Sequence, residues 1–347
     1  MLAKEIGNKV LELRNELNLS QLELSKKSGI ERGQISKIEK GNVNITIDTL
    51  EKLAKALTVP TYELLKFDEH LKPFVKWAGG KTQLIKKLLS YAPKHFNTYY
   101  EPFVGGGALF FALAPKNAVI NDINQELMCV YKCLKDTKKY NKLISLLNEH
   151  EKNHNEDYFL KIRNMDRDPN YSNLDDSIRA ARMIYLNKSC FNGLYRVNSK
   201  GLFNVPSGKK IKVNTFDREN FDKLKNYFKS NDIKLLSTTF ENAVKTAKNG
   251  DFVYFDPPYD DIEEKKVFNS YDTSSFNWDM QVKLANCFKE LDKKGVLVML
   301  SNHNTKRINE LYKDFNIKVV NAKRMINSKG TGRGDVQEVI ITNYNFE

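Results

Sequence analysis

The chain has 347 residues, 41% of them hydrophobic and 29% charged, and a formal net charge of +13. That length suits two or three soluble domains, and the charge favours a polyanionic partner. No apolar run approaches a membrane span and the polar start does not read as a signal peptide. Cys129, Cys133, Cys190 and Cys287 form no C-x-x-C pattern, so neither a membrane protein, a disulfide framework nor a structural zinc is expected, and a reducing, cytoplasmic setting is.

Residues 1–67 read as four or five short helices. Ile6, Val10, Leu11, Leu13 and Leu17 recur at helical spacing, Ser20-x-x-Glu23 is a capping box opening a second helix, and Gly29 breaks it. A third helix over 32–40 ends at Gly41, and Thr46 caps a fourth whose Leu50, Leu53, Ala54 and Leu57 face inward ahead of Pro60. A glycine-containing turn between the second and third helices is the helix-turn-helix plan. The stretch 21–40, QLELSKKSGIERGQISKIEK, resembles the DNA-binding helix-turn-helix of phage-repressor-type domains. The resemblance implies that Arg32, Gln34 and Lys37 meet base edges in the major groove, where Arg bridges guanine and Gln adenine. Glu31 departs from the pattern, standing where a short hydroxyl cap is usual. A helical dimerisation or interaction module is the alternative, and a DNA-binding module leaves two tasks open, tethering the chain or regulating its own locus.

After a short polar linker over 67–73, Phe74-Val75-Lys76-Trp77-Ala78-Gly79-Gly80-Lys81 leads into a helix expected over 82–90. Glycines ahead of a helix let a ligand approach the backbone, and an unpaired lysine beside an aromatic suits a carboxylate-bearing small molecule; a glycine turn with an exposed lysine that is only a turn looks the same. Tyr99-Tyr100-Glu101-Pro102-Phe103-Val104-Gly105-Gly106-Gly107-Ala108-Leu109 then reads as a strand feeding a glycine-rich turn and a new helix. The glycines lack G-x-G-x-x-G spacing and no G-K-[ST] follows, so neither NAD nor ATP is indicated. The next strand, Ala118-Val119-Ile120-Asn121, ends in Asp122 about twenty residues on, where doubly wound folds hold a ribose diol with an acid. Turn, spacing and acid point to an adenosine-containing cofactor across the strand ends, without saying which.

The insertion over 135–231 is rich in Lys, Asn, Asp and Tyr, with helices expected over 140–149, 158–164 and 177–187. A doubly wound sheet does not need it, so partner recognition is its expected task. His150-Glu151-Lys152-Asn153-His154 matches the zinc-protease string H-E-x-x-H, but the flanks are polar and no third ligand is evident, so a solvated helix end is expected. Over 188–208 glycines, asparagines and cations interleave with aromatics, as in a hairpin laid on a nucleic acid; a basic surface hairpin is the plainer alternative.

A strand over 233–236 precedes a helix starting near Thr239-Phe240-Glu241, and the apolar run Phe252-Val253-Tyr254-Phe255 delivers Asp256-Pro257-Pro258-Tyr259. A carboxylate fixed by prolines at a strand end can accept a hydrogen bond from an exocyclic amine. The first proline carbonyl can accept a second, and the tyrosine ring can stack on the heterocycle. The polar, aperiodic stretch 260–275 reads as a lid that orders on substrate binding, or simply as a long acidic loop. A helix over 279–292, a strand over 296–300 and a helix over 306–315 follow. His303 reads as a satisfied loop histidine rather than a general base. Residues 317–320 and 339–342 can pair as a hairpin around the glycine-rich loop at 328–334.

Trp77-Ala78-Gly79-Gly80-Lys81, the 101–107 turn, Asn121-Asp122 and Asp256-Pro257-Pro258-Tyr259, in that order, resemble the Dam-type DNA adenine-N6 methyltransferases over about residues 74–344. The resemblance implies an α/β protein: a Rossmann-like methyltransferase sheet from 74–134 and 232–347, an inserted, mainly helical target-recognition domain at 135–231, and the small all-α domain at 1–67 in front. It implies S-adenosylmethionine as cofactor, with Trp77, Lys81, Glu101, Phe103, Gly105, Asp122 and Asp256 around it, and Asp256, Pro257 and Tyr259 as the catalytic group. The 188–208 run resembles the recognition hairpin of the GATC-methylating members. Carried over, Arg196 reads guanine, Leu194 and Pro206 touch thymine methyls, and Phe191 replaces a tyrosine that wedges beside the extruded adenine, keeping the stacking face without the hydroxyl. Double-stranded DNA is the expected partner, with no metal and no membrane. A cognate restriction endonuclease and a second copy held through the N-terminal domain are further partners left open.

A stacked adenine cannot present N6 to a sulfonium methyl, so the base must be flipped. Tyr259 would stack on it while Asp256 and the Pro257 carbonyl accept the N6 hydrogens, and transfer would be direct, since the amine is itself the nucleophile. Cytosine N4 or a glutamine amide are alternative acceptors; Asp at 256, the motif order and the Arg196 hairpin favour adenine. A DNA-binding regulator with an inert transferase half is the alternative from another class.

Overall fold

The computed structural model describes residues 2–65, 71–77, 79–81, 84–260, 276–323 and 335–345, without the side chains at 322, 323, 335 and 336. Residues 66–70, which include the start of the linker read over 67–73, residues 261–275 of the lid read over 260–275, and the glycine-rich loop at 328–334 lie outside the described residues. The chain divides into two units, Met1–His70 and Leu71–Glu347.

The first unit holds helices α1 (Leu2–Glu16), α2 (Gln21–Ser28), α3 (Arg32–Glu39) and α4 (Ile47–Ala56). The capping box forms as read: Ser20 Oγ accepts from Glu23 N at 3.2 Å and Glu23 Oε2 from Ser20 N at 2.7 Å. Gly29 closes α2 at φ +70°. Glu31 precedes α3 without a side-chain cap. Ile6, Val10, Leu24, Ile35, Ile38 and Leu53 fill the core. Across it Arg14 Nε lies 2.6 Å from Glu39 Oε1, and Gln21 donates to Glu39 Oε2 at 2.7 Å, so one carboxylate ties three helices. That leaves Arg32, Gln34 and Lys37 exposed on the outer side of α3.

The second unit is built on one sheet. Its elements are α5 (Ile85–Tyr91), β1 (Tyr99–Glu101), α6 (Ala108–Leu113), β2 (Asn117–Asn121), α7 (Gln125–Lys135), α8 (Thr137–Lys152), α9 (Glu156–Asn164), α10 (Asp176–Ser189), α11 (Arg218–Ser230), β3 (Asp232–Leu236), α12 (Phe240–Ala243), β4 (Phe252–Phe255), α13 (Trp278–Lys293), β5 (Leu297–His303), α14 (Lys306–Leu311), β6 (Asn316–Lys323) and β7 (Asp335–Thr342). The strand order is β3-β2-β1-β4-β5-β7-β6. The first five strands run parallel, and β7 is antiparallel to both β5 and β6. Strands buried on both faces explain the unbroken apolar runs at β2 and β4. Val253 and Phe255 face a core with α13, and Phe252 and Tyr254 face the other.

That other core also takes Tyr140, Leu143 and Leu147 of α8, Ala180 and Met183 of α10, and Phe221, Leu224 and Phe228 of α11. The insertion is thus packed into the same apolar body as the sheet. Helix α11 went unread in the sequence, because its apolar residues sit among lysines and asparagines. Cys129 and Cys133 are buried in α7, where burial pushes both thiols up to about 12, as inert small hydrophobes. The H-E-x-x-H string is not wholly the solvated helix end expected: His150 is buried against the neighbouring helices, and the string's two histidines and glutamate have structural partners. His150 Nδ1 pairs with the Tyr158 hydroxyl at 2.8 Å, Glu151 accepts from Thr215, and His154 joins Tyr185 to the Lys210 carbonyl at 2.8 and 2.9 Å.

Candidate active site

Strand order places the site. From β1 the chain moves outward to β2 and β3, then returns to β4 on the opposite side of β1. The loops leaving β1 and β4 therefore diverge, and such a reversal opens a ligand crevice at the carboxyl ends of the strands. The loop leaving β1 is the glycine turn, and the loop leaving β4 is Asp256-Pro257-Pro258-Tyr259.

Two turn glycines are required by contact as well as by conformation. Gly105 has φ +47° and a Cβ there would lie 2.7 Å from Trp77 Cδ1; Gly107 has φ +72° and its Cβ would meet the Tyr131 hydroxyl at 2.8 Å. The Gly105 carbonyl accepts from that hydroxyl at 2.9 Å, and its N–H donates to Asp122 Oδ2 at 3.0 Å. Asp122 Oδ1 accepts from Asn124 N at 2.8 Å. Burial pushes the Asp122 carboxyl up, and these two backbone bonds oppose the shift. Glu101 points inward and accepts from the Tyr99 hydroxyl at 2.7 Å, while burial holds its carboxyl well above the usual range, with the Asp256 and Asp122 charges adding to the shift. Phe103 packs on Phe240 and Phe276, at 5.6 and 5.5 Å between ring centres. Asn121, unassigned beyond its place in the motif, donates from Nδ2 to the Pro102 and Thr238 carbonyls at 2.9 and 3.0 Å, tying the ends of β1, β2 and β3 together.

At the loop leaving β4, Lys81 Nζ lies 2.9 Å from Asp256 Oδ1, with 5% and 18% of the two side chains exposed. That separation is within charge-assisted hydrogen-bond range, so the ammonium is the partner of this inward oxygen. Lys81 also donates to the Gly79 carbonyl at 2.7 Å and sits 4.5 Å from the centre of the Tyr259 ring. Lys81 is thus buried and paired with Asp256, not the unpaired, exposed lysine expected from the sequence. Burial pushes the Asp256 carboxyl up, the Lys81 cation pulls it back, and Glu338 raises it further. The Tyr259 hydroxyl donates to Glu338 Oε2 at 2.8 Å.

The exit of the loop corrects one reading. Asp260 does not belong to a mobile acidic lid: it is buried, accepts from Thr305 Oγ1 at 2.9 Å and Arg307 Nε at 2.7 Å, and its carbonyl accepts from His303 Nδ1 at 2.6 Å. Asn302 Oδ1 accepts from Asp260 N, Asn302 Nδ2 donates to Gln281, and Gln281 Nε2 donates to the Pro258 carbonyl. This network fixes the loop from its far side. It occupies the second proline carbonyl and leaves that of Pro257 without a donor among the described residues. His303 is the last residue of β5, satisfied as expected.

Trp77 stacks on Tyr195 at 5.3 Å and 27°, and Asn187 bonds both Lys76 and the Gly193 carbonyl, so the 74–77 segment is bound to the 188–208 run. Within that run Val197 bridges Phe203 and Cys190 bridges Ser207. Phe191 is 53% exposed, Arg196 and Pro206 are exposed, and Leu194 is half-buried. Arg196 Nε donates to Asn204 Oδ1 at 2.8 Å, which orients the guanidinium. Beneath lies a scaffold the sequence did not disclose: Arg182, 2% exposed, lies 2.8 Å from Asp166 Oδ2, which in turn accepts from Phe203 N at 2.8 Å. Burial, then the Lys76 and Lys210 charges, hold the Lys188 ammonium below the usual lysine range, so cations crowd the base of the run.

A doubly wound sheet with an antiparallel strand inserted next to last, and with a glycine turn, an acid and Asp-Pro-Pro-Tyr along one edge, defines a Rossmann-like methyltransferase acting on an amine. The chain belongs to the D12 class of N6 adenine-specific DNA methyltransferases, whose pattern matches residues 77–326, and a helix-turn-helix family matches residues 10–64. It is similar to the Type II methyltransferase M1.LlaDCHI of Lactococcus lactis subsp. cremoris, 47% identical over 275 residues covering 79% of this chain and 96% of that protein. It is also similar to the Type II methyltransferase M.MjaIII of Methanocaldococcus jannaschii, at 41% over 290 residues, 79% of this chain and 99% of that one. The DNA adenine methylase of Escherichia coli strain K12 matches at 32% over 275 residues, 78% of this chain and 94% of that one.

Proposed function

We propose that this enzyme transfers the methyl group of S-adenosylmethionine to N6 of an adenine flipped out of duplex DNA, with GATC as its target. The observation that carries the reading is the Asp256 loop. The Asp256 carboxylate, held by the Lys81 cation, and the Pro257 carbonyl, without a donor among the described residues, stand with the Tyr259 ring at the mouth of the strand-order crevice. A buried acceptor without a donor fits an amine that arrives with the substrate.

The chain's own residues suit the cofactor. Asp122 at the end of β2 is set for a ribose diol, and Trp77 and Phe103 border the glycine turn. S-adenosylmethionine supplies an electrophilic methyl on a sulfonium. Tyr259 stacks the flipped base, while Asp256 and the Pro257 carbonyl accept its two N6 hydrogens and turn the lone pair toward the methyl. As positive charge grows on N6, the Asp256 carboxylate stabilises it. Lys81 must leave its contact with Asp256 for the amine to enter.

Exposed Arg196 and Pro206, exposed Phe191 and the crowded lysines support the 188–208 run as the element laid on DNA, with Arg196 on guanine, Leu194 and Pro206 on thymine methyls and Phe191 as the wedge. The exposed Arg32, Gln34 and Lys37 support α3 as a second DNA contact. The Type II naming of two relatives favours a companion endonuclease for the same site. Sequencing the methylated bases in DNA from a methylation-free host, with and without this chain, tests the proposal. Modified adenine in GATC is expected, and modification chiefly elsewhere ends the target assignment.

A further inference from the structure

We propose that Glu338 is a positioning residue for methyl transfer, fixing the plane of the Tyr259 ring on which the target base stacks; the inference rests on the stacking reading of Tyr259 above. In the antiparallel pair of β5 and β7, Glu338 lies directly opposite His303. This cross-strand pair holds the tyrosine from two sides. Glu338 Oε2 accepts the Tyr259 hydroxyl at 2.8 Å, and the His303 ring meets the Tyr259 ring at 4.7 Å and 75°. His303 is itself anchored through Nδ1 on the Asp260 carbonyl at 2.6 Å, and Asp260 is held by Arg307 and Thr305.

The terminal torsion of a tyrosine is broad, so packing alone specifies the ring plane loosely. A hydroxyl tied to a strand carboxylate and an edge set against a second ring remove that freedom. The face near Lys81 keeps its orientation, and that is the face beside Asp256. A flipped base then meets a platform already aligned with the acceptors of its amine, which is worth rate rather than affinity. Nothing in the local sequence of Glu338 announces this, because its partner lies 79 positions away.

A double-mutant cycle on the full-length enzyme tests it, using single-turnover methylation of unmethylated plasmid DNA with labelled S-adenosylmethionine. Glu338→Ala and Tyr259→Phe are each expected to slow transfer about tenfold, equivalent to about 1.4 kcal/mol, with the cofactor KM and DNA affinity within about threefold of wild type. The double variant is expected to be no slower than either single, because both remove one interaction. Glu338→Gln, which keeps an acceptor oxygen, is expected to retain most of the rate. Full-rate transfer by Glu338→Ala, or multiplicative losses in the double variant, overturns the proposal. Tyr259→Ala separates the two layers: if it too transfers at the wild-type rate, the stacking reading falls. If it is slow while Glu338→Ala is unimpaired, only the positioning role falls.

Discussion

Replacing Asp256 with Asn keeps the shape of the side chain and one acceptor oxygen while removing its charge, so it isolates electrostatics from hydrogen bonding. The structure supplies a gauge of approach: a cationic nitrogen, that of Lys81, reaches Oδ1 at 2.9 Å. A unit charge at that separation interacts by about 6 kcal/mol at an effective dielectric constant near 20. In the transition state N6 carries roughly half a charge, and solvent at the crevice mouth screens part of the remainder, leaving about 2–3 kcal/mol, roughly 30- to 150-fold in rate. Asp256→Asn should therefore lower the single-turnover rate by about that factor while DNA affinity and cofactor KM change by less than about threefold. Rapid-quench methylation with labelled cofactor at saturating DNA measures it, with a thermal melt to establish that the variant is folded despite the loss of Lys81's partner. A rate within about threefold of wild type refutes the electrostatic role; equal losses of rate and DNA affinity would make the acid a binding group.

The same carboxylate sets the pH response. Because burial raises its pKa and only the ionised form serves, the transfer rate should fall with falling pH at values above those of an exposed aspartate. Lys81→Met, which removes the opposing cation, should move that limb to higher pH in a rate-against-pH profile. His150 predicts a stability effect instead: burial lowers its pKa from 6.5 to about 4, so the folded state binds fewer protons than the unfolded chain between those values. Stability is then complete above pH 6.5 and declines by about 3 kcal/mol toward pH 4, and denaturant melts of His150→Gln should show that part of the acid loss removed. Asn204→Ala, which frees the Arg196 guanidinium, should reduce discrimination at the guanine of the site about tenfold and leave the other positions unchanged, whereas Asn204→Asp, which keeps the acceptor, should retain it; competition between duplexes altered one base pair at a time checks both.

The parts of this molecule legible in its sequence are those whose chemistry is local. Ser20 and Glu23 cap a helix within four residues. The strands Ala118-Val119-Ile120-Asn121 and Phe252-Val253-Tyr254-Phe255 announce themselves because burial on both faces demands continuous apolar side chains. Gly105 and Gly107 are readable as turn glycines, though the atoms that forbid a side chain there belong to Trp77 and Tyr131, each more than twenty positions away. Helix α11 was missed because Phe221, Leu224 and Phe228 are diluted among charged neighbours, and only the core supplied by α7 and α8 reveals its inner face. Asp260 was misread for a related reason. It opens the run Asp260-Asp261-Ile262-Glu263-Glu264, which looks solvated until Arg307 is folded against it.

That division follows from topology. Once β1 and β4 are adjacent and parallel, the residues leaving their carboxyl ends must share a crevice, whatever the insertion between them contains. Motifs at strand ends are therefore readable in one dimension, since the backbone alone brings them together. The groups that aim them are not. Glu338 reaches Tyr259 through the register of β5 with β7, and Asn204 reaches Arg196 through the pairing beneath it, so each depends on a cross-strand choice that no local pattern encodes. A one-residue slip of β7 would turn Glu338 to the opposite face and leave the Asp-Pro-Pro-Tyr loop intact in sequence but unaligned in space, which is why Glu338 should be felt in rate, and Asn204 in base discrimination, more than in folding.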